Sequence, residues 1–506
     1  MATDETPRHH TTIGRTRLVL SFAIPLLIII ALYALDVPYG QPGEQVYRWT
    51  SLLFRRLIAA SIPIVVVAWA GLLLMRSALV QQLTYRRALT GTVALAVFLG
   101  IWSFFAPPNA VAQHYLNLLS PSHEGAFLTE AREIDDLGEY LHNFPSMLQR
   151  SPEDLKGTRL LGNPPGVTII GYWAHQAVRH HPSLARSMVE WHGADLAPDS
   201  EDGRQFAQTM LVAWGFTIMW IASAGFLFAA AAVWLPPGPA AVVALICFFN
   251  PSSVMFSPGK DPAQLLTIAL AIWGWLDSFK RGAVVPAIVS GMVLATGFAL
   301  GLIHGWIVLI MVVMTAWVVR RDRARLIAWL LRTVAPACCG AVAVCVLAWL
   351  FWRWNLQETA IAVAGSYRQV VRHLGDLPWQ WDFAKIPMFA LVAGGGLWLL
   401  ATSFSRHDLT DQPASAGRAA VVATLVVMAY SLFYTTLETP RLWLAFVPIL
   451  AIGLALTNKS FRRPTSADIR FLVLAGVFQV VTTCLTWCLF DARESEMRLL
   501  TGRMFE

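Results

Sequence analysis

The feature that most constrains this chain is a succession of apolar runs, recurring from residue 18 to residue 490, most of them long enough to cross the roughly 30 Å of a bilayer's hydrocarbon as helices. They lie near 18–35, 57–75, 88–106, 208–234, 262–279, 283–319, 333–352, 387–403, 419–436, 441–456 and 471–490. Only 14% of residues are charged and 56% are hydrophobic, whereas soluble domains carry about 25% charged residues. The chain is therefore expected to be an all-α polytopic membrane protein. The first run follows a polar, basic start and has no small-residue cleavage site, so it is expected to stay as a signal anchor.

Two stretches need a decision. A single helix over 283–319 would reach about 55 Å, and Gly301-Leu302-Ile303-His304-Gly305 interrupts it with a turn-like sequence. It is expected to be two helices. The stretch 239–250, after Pro236-Pro237-Gly238-Pro239, is short for a span. If it crosses, the basic patches Arg76/Arg86/Arg87, Lys280/Arg281, Arg320/Arg321/Arg323/Arg325 and Lys459/Arg462/Arg463 all fall on the side of the basic N-terminus. The positive-inside rule thus predicts about 13 spans, a cytoplasmic N-terminus and an extracytoplasmic C-terminus.

The same patches explain the net charge of +7: they sit in short clusters between apolar runs, which makes them orientation signals and not a nucleic-acid surface. All six cysteines lie inside apolar segments without zinc-ligand spacing, so neither disulfides nor a structural metal is expected, and no cofactor is indicated. The chain reads as a single membrane-embedded domain, 1–506.

This topology brings most of the remaining polar features to one face: the loop 107–206, Lys260-Asp261, His304, the segment 353–386 and Glu438-Thr439-Pro440-Arg441. A loop of that length exceeds what helix connections need and is expected to be functional and partly helical. It opens with an acidic cluster, Glu124, Glu130, Glu133, Asp135, Asp136 and Glu139, any of which can serve as a general base or line a solvated helix face. Asn163-Pro164-Pro165-Gly166 then sets a sharp entry into an apolar-aromatic helix ending in Arg179-His180-His181. Lys260, between Pro258-Gly259 and Asp261-Pro262, either binds a phosphate as a point charge or pairs with its neighbour. Arg441 can grip a phosphate bidentately or close an ion pair with Glu438. For His304, in its turn, a structural hydrogen bond is expected.

In order and common side, Phe127-Leu128-Thr129-Glu130-Ala131, Asn163-Pro164-Pro165-Gly166, Ser257-Pro258-Gly259-Lys260-Asp261 and Glu438-Thr439-Pro440-Arg441-Leu442-Trp443 resemble the GT-C superfamily of membrane glycosyltransferases. The likeness is to bacterial members related to the protein mannosyltransferase and aminoarabinose transferase group, and it covers roughly 88–457, which implies a core over 88–457, an additional two-helix segment over 1–87 and a C-terminal helix and tail over 458–506. It implies a GT-C-like fold, with transfer of a sugar from a polyprenyl-phosphate donor to an acceptor on the outer face of the cell membrane by a single, inverting displacement. Glu130, with Asp135 or Asp136 as fallback, would deprotonate the acceptor hydroxyl. Lys260 and Arg441 would stabilise the departing phosphate, and Asn163, Asp261, His304 and Glu438 would line the substrate site. Asn163 stands where related sequences usually carry histidine; asparagine takes up no proton near neutral pH, so an acid or base role is not expected of it. No Walker-type loop or Gly-x-Gly-x-x-Gly is present, in keeping with a lipid donor. The competing expectations are a polytopic transporter or flippase, for which midplane charges are few, and a catalytically silent scaffold of the same fold.

Overall fold

The computed structural model describes residues 15–34, 39–41, 45–47, 53–76, 83–107, 109–119, 124–148, 158–373, 386, 389, 393–402, 411–432 and 442–489. Helices α1 (Arg15–Ala34), α2 (Leu53–Arg76) and α3 (Tyr85–Phe105) come first, with a short hairpin pairing Tyr39–Gln41 to Gln45–Tyr47 between the first two. The long loop holds α4 (Ala110–Leu119), α5 (Gly125–Arg132), α6 (Leu137–Met147), α7 (Thr158–Leu161), α8 (Gly166–His180) and α9 (Pro182–Trp191). There follow α10 (Glu201–Ala232), α11 (Pro237–Phe248), α12 (Pro251–Met255), α13 (Lys260–Arg281), α14 (Val284–Leu300) and α15 (Ile303–Val319). Next, α16 (Arg323–Trp329) runs through a π turn at Leu330–Val334 into α17 (Ala335–Trp352), and α18 (Leu356–His373) comes after it. The chain then forms α19 (Gly395–Thr402), α20 (Gln412–Leu432), α21 (Val447–Thr457), α22 (Lys459–Arg462) and α23 (Ser466–Leu489).

Among the described residues six helices are long and apolar enough to cross a membrane: parts or all of α2, α3, α10, the continuous α16–α17, α20 and α23. Shorter apolar helices, α11, α14 and α15 with stretches of α1 and of 443–457, stand among them. Their outward faces expose apolar side chains, Phe351 at 72%, Val285 at 70% and Leu331 at 66%, as suits a surface whose solvent is lipid and not water. Helix seams are made by small residues: a Cβ on Gly291 would meet Ala337 O at 1.8 Å and one on Gly340 would meet Ile288 O at 2.1 Å, so α14 and α17 touch backbone to backbone.

The expected break within 283–319 is present. α14 ends at Leu300 and α15 begins at Ile303, with Gly301 between them. The segment after α10 also runs back through the bundle. Phe279 of α13 packs on Trp234 just past the end of α10, and the Lys280 ammonium bonds to Val233 O, so α10 and α13 lie parallel and 237–259 must return the chain from one end to the other.

The two ends of this bundle differ in chemistry. At one end sit Lys280 and Arg281, which close α13 before the left-handed Gly282, together with Arg332 against Gly282, Arg320 over the Trp317 ring at 3.2 Å, and Arg462 paired with Asp411. At the other end, α4, α8 and α9 pack on the start of α10, α5 lies on α4 and α8, α8 meets the end of α14, and α6 meets the end of α17. Helix α18, from a separate and distant segment, joins this layer through α6 and α7. The described parts of 107–206 thus form one helical cap with 353–373. Aromatic rings secure its edge: Trp214 stacks on Phe104 at 4.2 Å and on Trp191 at 5.2 Å, and Trp191 is 64% exposed, a placement suited to the boundary between lipid and water.

Candidate functional site

The site is built around the start of α13. Asn250 caps α12, accepting from Ser253 N at 2.9 Å, and the chain then turns through Ser257-Pro258-Gly259. Gly259 leaves no room for a side chain, since a Cβ would lie 2.6 Å from Phe256 O and 3.6 Å from Glu124 Oε1. That tight passage delivers Lys260 as the first helical residue, where backbone N–H groups have no partner within the helix. Its N–H donates to Glu124 Oε1 at 3.1 Å, from a residue 136 positions earlier. Glu124 is itself the N-cap of α5, and both residues are 4% exposed. A buried carboxylate at a helix N-terminus is favoured by the helix dipole as well as by this bond.

The lysine side chain joins two more segments. Its ammonium donates to Asn163 Oδ1, 97 residues away, and lies 5.5 Å from the centre of the Phe127 ring. Asn163 reaches it because Pro164 and Pro165 are buried and Gly166 sits directly on the end of α14, where a Cβ would be 2.3 Å from Ala299 O. Two of the Pro/Gly-framed motifs singled out in the sequence therefore meet on one hydrogen bond. Asp261, half-buried, occupies the first turn of α13, again where an acidic residue is electrostatically favoured.

The acidic cluster separates into distinct roles. Glu124, Phe127 and Glu130 recur every three residues and share one side of α5. Glu130 is half-buried. Burial, reinforced by the Glu130 charge, pushes the Tyr140 phenol's pKa well above its ordinary value, so the hydroxyl keeps its proton. Asp135 is exposed, and Asp136 caps α6 by accepting from Glu139 N at 2.8 Å. An aspartate committed to a cap has one oxygen fewer to offer a substrate.

His304 is wholly buried and joins α13 to α15: one ring nitrogen pairs with Gly301 O at 2.9 Å and the other with the Thr267 hydroxyl at 2.8 Å. With Nδ1 donating to the carbonyl, Nε2 faces the threonine hydroxyl, whose single proton is shared between this nitrogen and Gln264 O at 2.9 Å. This is the structural hydrogen bonding expected from the sequence, and it leaves no ring nitrogen for a substrate. His304→Ala is expected to lower stability by about 2 kcal/mol, read as a lower melting temperature of the purified protein. An unchanged melting temperature would contradict the assignment. Glu438 and Arg441 lie outside the described residues; on either side of them Trp443 Nε1 donates to Ser431 Oγ at 2.7 Å. Among the described residues no three His, Cys, Asp or Glu side chains gather as a metal site.

Sequence reasoning placed Glu124 in the acidic cluster without singling it out. Its position immediately before Gly125, at the start of a helix, was the available signal. Tyr140 and Thr168, which come together in the same layer, carried none. No family model matches the sequence, and no curated protein matches it.

Proposed function

We propose that this chain is a membrane glycosyltransferase of GT-C type, moving a sugar from a polyprenyl phosphate to an acceptor at the extracytoplasmic face. The observation that carries the reading is the meeting of Asn163 and Lys260 beside the carboxylate face of α5. A cation, a neutral acceptor that tethers it and a carboxylate are what phosphate departure and hydroxyl attack require. The opposite end of the bundle carries the basic clusters Lys280/Arg281, Arg320/Arg321/Arg323/Arg325 and Lys459/Arg462/Arg463, and the positive-inside rule makes that end cytoplasmic, with about 13 passes in all. The cap then lies outside.

In the proposed reaction the acceptor hydroxyl gives its proton to Glu130 while its oxygen bonds to the anomeric carbon. The bond from that carbon to the phosphate oxygen breaks, and the electron pair leaves with the phosphate. One displacement inverts the anomeric centre. Lys260, with Arg441, takes up the developing charge. Asn163 holds the ammonium through an uncharged oxygen, and an incoming phosphate, making a charge-assisted bond, outcompetes it.

Two measurements test the reading. In intact cells, Asp195→Cys in the cap should react with a membrane-impermeant maleimide, and Arg321→Cys should react only after rupture. Purified protein should release labelled sugar from a polyprenyl-phosphate sugar when an acceptor is present. The reversed labelling pattern would place the site in the cytoplasm and overturn the assignment.

A further inference from the structure

At the basic end of the bundle, opposite the cap, Arg332 is held differently from the other cations. It stands in the π turn at Leu330–Val334, through which α16 runs into α17. Pro336, four residues on, has no N–H to offer the Arg332 carbonyl. The Ser278 hydroxyl, in the last turn of α13, takes that place by donating to Arg332 O at 3.0 Å, and the Thr333 hydroxyl lies 3.2 Å from the Ser278 oxygen. Ser278 and Thr333 are both buried, so the turn is pinned to the end of α13. The Arg332 side chain then lies along Gly282, the left-handed residue that closes α13: a Cβ there would be 3.2 Å from Nη1 and 3.4 Å from Cδ.

This placement gathers Lys280, Arg281 and Arg332, from two separate segments, at one helix end. The Lys280 ammonium is bonded to Val233 O, and Arg281 pairs with Asp277 at 2.8 Å. Among the described residues the Arg332 guanidinium has neither a carboxylate nor a hydrogen-bond acceptor. The dipole of α13 favours a cation here, but it leaves the donors of the planar fork unused. The guanidinium is exposed, and apolar side chains exposed on both flanks frame it: Val284 and Val285 after Gly282, Leu330 and Leu331 before Arg332. A bidentate donor set among lipid-facing aliphatics is complementary to a phosphate that carries acyl chains.

We infer that Arg332, with Arg281 beside it, binds the phosphodiester of an anionic glycerophospholipid in the leaflet at the basic end of the bundle. The phosphate takes the fork of Arg332, and the acyl chains lie along Val285 and Leu331. The lipid ties the end of α13 to the start of α17 from outside, as the Ser278 bond does from within. The site is separate from the cap and does not depend on the glycosyltransfer reading.

The test uses the full-length protein in a neutral detergent, with phosphatidylglycerol, phosphatidylcholine of the same chains and inorganic phosphate as probes. Native mass spectrometry reads binding. Phosphatidylglycerol should bind in preference to phosphatidylcholine, and excess inorganic phosphate should not displace it. Arg332→Gln should weaken phosphatidylglycerol about tenfold, the effect of one lost charge-assisted contact. Arg332→Lys should fall between this variant and wild type, since it keeps the charge and loses the fork. Arg323→Gln, which removes an exposed charge from the same end, should leave the affinity nearly unchanged. Equal losses from Arg332→Gln and Arg323→Gln would reduce the effect to general attraction between a basic end and an anionic leaflet, and the inference fails. It fails equally if the two lipids bind alike, or if inorganic phosphate displaces phosphatidylglycerol. Should Arg332→Gln not fold, Arg332→Lys decides: weakened phosphatidylglycerol binding supports the site, and unchanged binding overturns it.

Discussion

Glu130→Gln should lower sugar transfer by roughly 100- to 10,000-fold, the usual effect of losing a general base, while the protein still folds. The substitution keeps size and hydrogen bonding and removes only the capacity to accept a proton. Glu130 lies half-buried on the face of α5 that also presents Phe127 to the Lys260 ammonium. Its neighbours give the contrast that makes the result interpretable. Asp136→Asn removes the charge of a helix cap and should cost at most about 1 kcal/mol of stability with near-normal transfer. The exposed Asp135 should tolerate the same change. Near-normal turnover by Glu130→Gln would move the base to one of these two, and activity in all three variants would end the catalytic reading of the loop.

Lys260→Met should cut kcat/KM by about 100- to 1,000-fold, the range expected when one preorganised stabiliser of a departing charge is removed. Methionine preserves an unbranched chain over Phe127 but carries no charge. The bond from the Lys260 backbone N–H to Glu124 does not depend on the side chain, so α13 should still start correctly and the melting temperature should stay close to wild type. Lys260→Arg should recover part of the loss, since it restores a cation with different geometry. Full activity in the methionine variant would show that the phosphate is held elsewhere.

The sequence foretold the helices because apolar length is a one-dimensional property: each of α2, α3, α10, α20 and α23 overlaps a run that a bilayer would select. The break at Gly301 was legible from its turn residues. The return of 237–259 through the bundle was legible from charge, since the basic patches share a side only if that segment crosses. The internal arrangement of the cap was not legible in the same way. Period and composition place residues on a face of their own helix, and cannot say that Glu124 will find a backbone N–H 136 positions later or that α18 will lie on α6 and α7. Asp136 illustrates the limit within a single motif. A carboxylate in an acidic run reads alike whether it caps a helix or faces a substrate, and only its distance to Glu139 N separates the two.

The passage from α11 to α12 has a bearing on how the protein is made. Helix α11 stops at Phe248, and the carbonyls exposed by the break are met by side chains of other helices. Trp220 Nε1 donates to Phe248 O at 3.2 Å, while Gln479 Nε2 and Thr483 Oγ1 of α23 donate to Phe249 O at 3.2 and 2.8 Å. In lipid an unmet carbonyl is costly, so irregular backbone at depth depends on protein neighbours. Two of these donors are translated 230 and 234 residues after the carbonyl they serve. The break is therefore an unfinished joint throughout synthesis, held by Trp220 on one side and open on the other. The joint is complete only once α23 has docked against α11.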